Sequence, residues 1–329
     1  MTTQPRVPWQ VKYLALVLIW GSSFLLMKVG LEALTAVQIS ALRILSGAVV
    51  LLGLLFARGG RLPTGARVWG HLLVCGFFLG ALPFTLFALS ETRISSALAG
   101  IGNAATPIAT VLATMAILPG ERATGRRLVA VGVGFLGVIT IMQPWTATDR
   151  PDLVGFSMAL IGGASYGIGW TYNRKFLSGV DLGGLSQPAA TLTSALVLMV
   201  PFVVTWALLQ PEGLAAIWAY DAAGVGDLPW LPLLCVLVLG VVGTGFAYML
   251  QFDVVRGAGP VIGSTITYLI PVVSVLLGVL VLGERLGPWQ IVGFVIVLGA
   301  AFVINQKPAA RPATDATAST VGEVTTTAR

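Results

Sequence analysis

Arg43 is the one strong charge that falls inside a long apolar run of this sequence. It stands about seven residues, or ~10 Å at the helical rise, from the end of that run. A guanidinium at such depth either attracts a carboxylate or phosphate, or snorkels outward to bond helix ends. Lys28 lies nearer the end of its own run and leans toward the second use. Trp20, Ser22 and Ser23 in the first run, and Tyr166 and Trp170 in the sixth, offer rings and hydroxyls on which a flat or cationic molecule can stack. Trp20 lies about eight residues, ~12 Å, into its run, too deep for the headgroup belt that suits Trp145 and Trp289. Tyr248 and Tyr268 are further candidates, for binding or for hydrogen bonds between helices.

Two more residues stand out through the prolines that follow them. Pro107 and Pro271 each deprive the carbonyl four residues earlier of its helical donor, and those carbonyls belong to Asn103 and Thr267. Unsatisfied backbone in hydrocarbon costs several kcal/mol per group, so both sites should face protein or a wet cavity. All of this is non-covalent recognition. The apolar runs hold no nucleophile–base pair, no His/Asp cluster and no zinc motif, so no enzyme activity, metal or cofactor is expected. Every Asp and Glu, Glu32, Glu91, Glu121, Asp253 and Glu284 among them, falls in a loop, a tail or at a helix end. That leaves no carboxylate halfway along a span to relay protons or sodium, and predicts facilitated exchange or coupling through another group.

The elements that carry these residues follow from composition. With 56% hydrophobic and only 10% charged residues, a chain of 329 has too little polar surface to enclose its apolar side chains as a water-soluble globule. The net charge of +6 sits in short clusters between apolar runs, the pattern of membrane loops and not of a nucleic-acid-binding face. Cys75 and Cys235 both lie in apolar runs and read as small packing residues. The first apolar run lacks a cleavage site and reads as a retained span.

Crossing about 30 Å of hydrocarbon takes ~20 apolar residues. Ten runs qualify, starting near residues 12, 36, 70, 95, 124, 154, 185, 231, 260 and 287. Ten spans put both termini on one side. Fourteen lysines and arginines fall in segments on the N-terminal side, against Lys28, Arg93, Arg150 and Arg285 on the other, so both termini are expected in the cytoplasm.

The chain also repeats itself. Gly100, Asn103, Pro107 and Thr110 share a helix face and match Ser264, Thr267, Pro271 and Ser274 at one common offset of 164. "LIWGSSF" at 18–24 resembles "LIGGASY" at 160–166, and "PGER" ending at Arg122 resembles "LGER" ending at Arg285. A unit of five helices written twice must insert its second copy upside down, because five is odd. Glu121 and Glu284 are then expected on opposite faces, each accepting hydrogen bonds from a neighbouring helix N-terminus. The small residues Gly100, Ser264 and Ser274 fit close packing as well as they fit a cavity wall.

Together the "IWGSSF" start, Arg43, the Pro107 and Pro271 helices and the two Gly-Glu-Arg turns make the chain resemble the EamA group of the drug/metabolite transporter superfamily, over roughly residues 12–305. The resemblance implies an all-α membrane protein, ten transmembrane helices formed by two inverted five-helix repeats. Its parts would be a cytoplasmic N-terminus at 1–11, repeats at 12–142 and 154–305, an outer linker at 143–153 and a disordered cytoplasmic tail at 306–329. It also implies a multi-pass protein of the bacterial cytoplasmic membrane that exports small organic metabolites from a central cavity by alternating access. A passive channel or scaffold is the alternative, with a membrane-embedded enzyme further behind. The expected partners are a small-molecule substrate and the lipid bilayer, without nucleic acid, in a monomer or homodimer.

Overall fold

In a medium without water every backbone N–H and C=O must be satisfied within the chain, and uninterrupted apolar runs achieve this as helices. The computed structural model describes residues 8–118, 125–143, 152–180, 182–221, 230–251, 253–254 and 266–305, with backbone only for Arg127, Tyr268 and Asn305. Glu121, Ser264 and the side chain of Tyr268 therefore lie outside the described residues. Among the described residues there is no strand.

The first span, Trp9–Gly30, consists of α1 (Trp9–Gly21) and α2 (Ser23–Gly30). Then come α3 (Ala36–Ala57), α4 (Ala66–Gly76), a π-helical segment Phe77–Ala81, α5 (Leu82–Glu91), α6 (Ser96–Asn103) and α7 (Thr106–Ile117). The rest comprises α8 (Gly125–Met142), α9 (Leu153–Leu177), α10 (Ser186–Leu208), α11 (Leu231–Gly240), a second π-helical segment Val241–Phe246, α12 (247–251), α13 (Ile266–Leu282) and α14 (Pro288–Asn305). Among the described residues seven spans are long and apolar enough to cross a membrane. Three shorter apolar helices lie at Leu128–Met142, Leu269–Leu282 and Pro288–Ile304.

Local signals set several of the helix starts. Thr35 and Gln38 form a capping box on α3: the Gln38 amide donates to Thr35 Oγ1, and the Thr35 amide donates to Gln38 Oε1 at 2.8 Å. Asp152 caps α9 by accepting from the Gly155 amide at 2.6 Å, and that bond, with Arg93 beside it, holds the Asp152 carboxyl below the usual carboxylate range.

Pro107 does not kink a continuous helix. The fourth span breaks at Ala104–Ala105, and Pro107 sits in the first turn of α7, where its missing N–H leaves no bond unmade. The freed Asn103 carbonyl accepts from Thr106 Oγ1 at 2.8 Å. Pro271, by contrast, lies inside α13.

Helix pairing in the two halves follows one pattern with partners exchanged. Span Trp9–Gly30 packs on α13, and α9 packs on α6 and α7. α3 packs on α11 and its π segment, and α10 on α4 and its π segment. Close approach at small residues makes these crossings possible. A methyl on Gly21 would run into Val273 of α13, and one on Gly163 would come within 2.7 Å of the Gly102 carbonyl of α6.

Glu284, just past α13, accepts from the amides of Ser96 at 2.7 Å and Ala97 at 2.9 Å, so the end of α13 meets the start of α6 and the two helices run antiparallel. Ser95 takes the Leu98 amide, and three orphan donors of the α6 N-terminus are thereby satisfied. Glu284→Gln turns one accepting oxygen into an amino group facing an N–H. The expected cost is about 1.5–3 kcal/mol, the worth of a hydrogen bond to a charged group. A lowered thermal midpoint in detergent checks it.

Candidate functional site

The two π-helical segments organise the polar interior. A π turn widens the helix and leaves its carbonyls poorly matched within the chain, which makes them acceptors for outside donors. Trp20 Nε1 donates to the Gly243 carbonyl of the second segment at 3.1 Å, and Tyr248 Oη donates to the Leu79 carbonyl of the first at 3.3 Å. Gly76 and Gly240, one before each segment, let α10 and α3 approach so closely that a methyl would meet the Ala195 amide at 2.6 Å and the Arg43 carbonyl at 2.9 Å.

Arg43 sits between these segments, 7% exposed. Its Nε donates to Thr244 Oγ1 at 3.1 Å, and its Cζ lies 3.8 Å from the centroid of the Phe84 ring. Thr244 Oγ1 in turn donates to the Leu239 carbonyl at 3.3 Å, five residues back along the π turn. Tyr166, Tyr248 and Glu91 are ionisable groups in its neighbourhood. Tyr166 packs against three separate apolar clusters, and its ring lies nearly parallel to that of Phe87, with centroids 6.3 Å apart. Trp170 follows one turn later on the same face of α9 and is half exposed.

Trp20, Arg43, Tyr166 and Tyr248 thus converge from α1, α3, α9 and α12, joined by Phe84 and Thr244, which the motifs did not single out. The signal for these two was indirect: the glycines of "GFFLGALPF" and "GVVGTGF" mark the π segments, the first of which leads into the start of α5 at Phe84 and the second of which holds Thr244. The remaining candidates make other contacts, although the Ser23 hydroxyl lies beside Gly243. Ser22 and Ser23 donate back to the Ile19 carbonyl of their own span. Asn103 is buried at the α6–α7 break, bonded to Thr106 and packed against the Gly163 backbone of α9. Thr267 is partly buried at the start of the described part of α13 and has a partner. Gly100 and Ser274 face each other in the α6–α13 crossing, a packing contact in which a methyl on the glycine would overlap the serine hydroxyl.

Lys28 donates to the carbonyls of Glu91 at 2.7 Å and Ile94 at 3.2 Å, closing the C-terminal end of α5 and staying outside the Arg43 cluster. Glu91 ends α5, a helix end as expected, yet it is wholly buried and neither carboxylate oxygen has a hydrogen-bond partner. No carboxylate lies halfway along a described span, but Glu91 shows that an acid at a helix end can still be withdrawn from water; α5 packs there against α9, α2 and α6. An apolar groove of about 340 Å³ between α8 and α14, lined by Arg126 and by Val, Ala and Gly, offers no ring or hydroxyl to a polar cargo.

A family model described as "EamA-like transporter family" matches residues 8–143 and 153–306. The chain is 24% identical over 285 residues to the "Uncharacterized inner membrane transporter YedA" of Escherichia coli K12, covering 86% of each chain. It is also 24% identical over 296 residues to the "Probable amino-acid metabolite efflux pump" of the same strain, covering 88% of this chain and 92% of that one. A solved crystal structure aligns over 90% of this chain and 96% of its own, with a TM-score of 0.58 at 21% identity, a likeness of fold.

Proposed function

The chain belongs to the EamA-like transporter family, and on that premise we propose that it is an inner-membrane secondary exporter of small organic metabolites, working by alternating access about the Arg43 cluster. The observation that carries this reading is the convergence of donors and rings from both family-matched segments: Trp20, Arg43 and Phe84 from residues 8–143, and Tyr166, Thr244 and Tyr248 from 153–306. A site shared by two halves can be opened to either side by rocking one half against the other.

The seven long spans and three shorter apolar helices make up the ten spans of this reading, with the shorter ones in the fifth, ninth and tenth places. The exchanged pairing and the antiparallel α6 and α13 support an inverted repeat of five helices each. Both termini then lie in the cytoplasm, and Glu91, Lys28 and Glu284 share the outer end. That end is sealed around Glu91, which is wholly buried. Pro107 and Pro271 are the hinges of this reading, Pro107 by starting the second half of a broken helix. Asn103, Ser22 and Ser23, which bond within their own spans, support the wall in this reading, and Thr267 is the counterpart of Asn103 in the second repeat. Glu121 is the inner counterpart of Glu284.

Two experiments test this. Purified protein in liposomes should show saturable counterflow, in which unlabelled amino acids or related metabolites inside accelerate uptake of the labelled one; a current without saturation would mean a channel instead. In a background lacking Cys75 and Cys235, Ala123→Cys and Arg285→Cys should react with a membrane-impermeant maleimide from opposite faces. Reaction of both from one face would overturn the inverted architecture.

A further inference from the structure

Resting on the carrier reading, we propose that the cargo is bound as an organic carboxylate, its charged end on Arg43 and a planar apolar portion against the ring faces of Tyr166 and Trp20. The argument begins with what Arg43 lacks. A guanidinium carries five N–H donors and no acceptor. Among the described residues Arg43 makes one hydrogen bond, through Nε to Thr244, and no ion pair. Phe84 stabilises the positive charge through its ring face and accepts no conventional hydrogen bond. The terminal amino groups find no acceptor, yet they are not among the unbonded polar atoms sealed from the surroundings.

The nearby acidic and hydroxyl groups do not fill that gap. Glu284 is engaged by the Ser96 and Ala97 amides. Glu91 lies in the neighbourhood of Arg43, but among the described residues its oxygens have no hydrogen-bond partner, Arg43 included. The Tyr248 hydroxyl is directed to the Leu79 carbonyl. Lys28, outside the cluster, is spent on the carbonyls that close α5, so among the described residues Arg43 is the cation of the cluster whose terminal amino groups have no acceptor.

A buried, hydrogen-bond-deficient cation needs a counter-charge, and the planar fork of a guanidinium fits a carboxylate with two parallel hydrogen bonds. The same charge rejects a cationic cargo, so it selects in both senses. Thr244 and Phe84 hold the fork from its Nε edge and its face, leaving the terminal amino edge for the ligand. Around it, the Trp20 ring is tethered through Nε1 to Gly243, and the Tyr166 ring is aligned by Phe87 on one side, so both rings are held in place at the cluster, and the proposal gives a flat group to the sides that these contacts leave.

The test compares four probes of similar size on the purified full chain in nanodiscs: phenylacetate, phenylacetamide, phenethylamine and cyclohexylacetate. Phenylacetate should bind at least tenfold more tightly than the neutral amide and the amine, and several-fold more tightly than the non-planar ring. Arg43→Gln should erase the preference for the acid, and Arg43→Lys should retain part of it. The proposal fails if the wild-type chain binds the amide or amine as well as the acid, if cyclohexylacetate equals phenylacetate, or if Arg43→Gln keeps the discrimination. The wild-type comparison decides by itself if either variant does not fold. Counterflow of the amine or amide at rates matching the acid would keep the carrier and overturn the carboxylate class. Absence of counterflow for every probe and for a broad labelled metabolite set would overturn the carrier itself.

Discussion

Gly163→Ala is expected to destabilise the protein by about 3 kcal/mol, and Gly163→Leu to prevent recovery of folded protein, because the added carbon enters the α6–α9 crossing. A Cβ at this position comes within 2.7 Å of the Gly102 carbonyl and 3.0 Å of the Asn103 Cα, both backbone atoms that cannot rotate aside. Separating the helices would relieve the contact only by removing Thr106 Oγ1 from the Gly163 carbonyl, to which it donates at 2.8 Å. Gly132→Ala is the control. Nothing lies within 4 Å of its added carbon, so the gain in helix propensity of about 0.5–1 kcal/mol stands unopposed. Thermal midpoints by size-exclusion fluorescence should therefore move in opposite directions for the same chemical change.

The second large effect is expected at Thr244→Val. The shape is retained and the side chain is fully buried, but the oxygen that accepts from Arg43 Nε is lost. A buried charged donor left without its acceptor costs about 1.5–3 kcal/mol, and the guanidinium also loses the contact that orients it from the π segment. If half of that appears in the transport step, counterflow falls roughly three- to twelvefold, since ~1.4 kcal/mol is a factor of ten in rate. Thr244→Ser keeps the hydroxyl and should stay within about twofold of wild type by the same arithmetic. A Val variant that transports as well as Ser would remove Thr244 from the site.

The helical, membrane-embedded character was legible because it depends on composition and run length, which need no knowledge of neighbours. The doubled pattern was legible for the same reason: residues spaced alike in two stretches, such as Pro107 and Pro271, can be compared without a fold. Their consequences differ, however. A proline starts α7 in one copy and lies within α13 in the other, and the hydroxyl of Thr106, not the type of residue at 103, decides how the freed carbonyl is satisfied.

The candidate site was legible only in part. Trp20, Arg43, Tyr166 and Tyr248 drew notice as polar or aromatic groups deep in apolar runs, and they do gather. Ser22, Ser23 and Asn103 drew notice on the same grounds and turn to backbone carbonyls or helix contacts. Nothing local separates the two groups, since a serine that bonds its own helix and one that faces a ligand have the same neighbours in sequence. Phe84 passed as one apolar residue among many, and Glu91 as an ordinary helix end.

The sequence by itself determined that this chain forms apolar helices, that they come in two related sets, and that one arginine is committed to the interior. Only the tertiary structure decided what that arginine meets. Its bond to Thr244 joins residues 201 positions apart, and that of Trp20 to Gly243 spans 223. Such pairings depend on the rotation and depth at which glycine-lined helices come to rest against each other, and on π turns that redirect a few carbonyls. Those are properties of packed pairs, which no single stretch of residues contains.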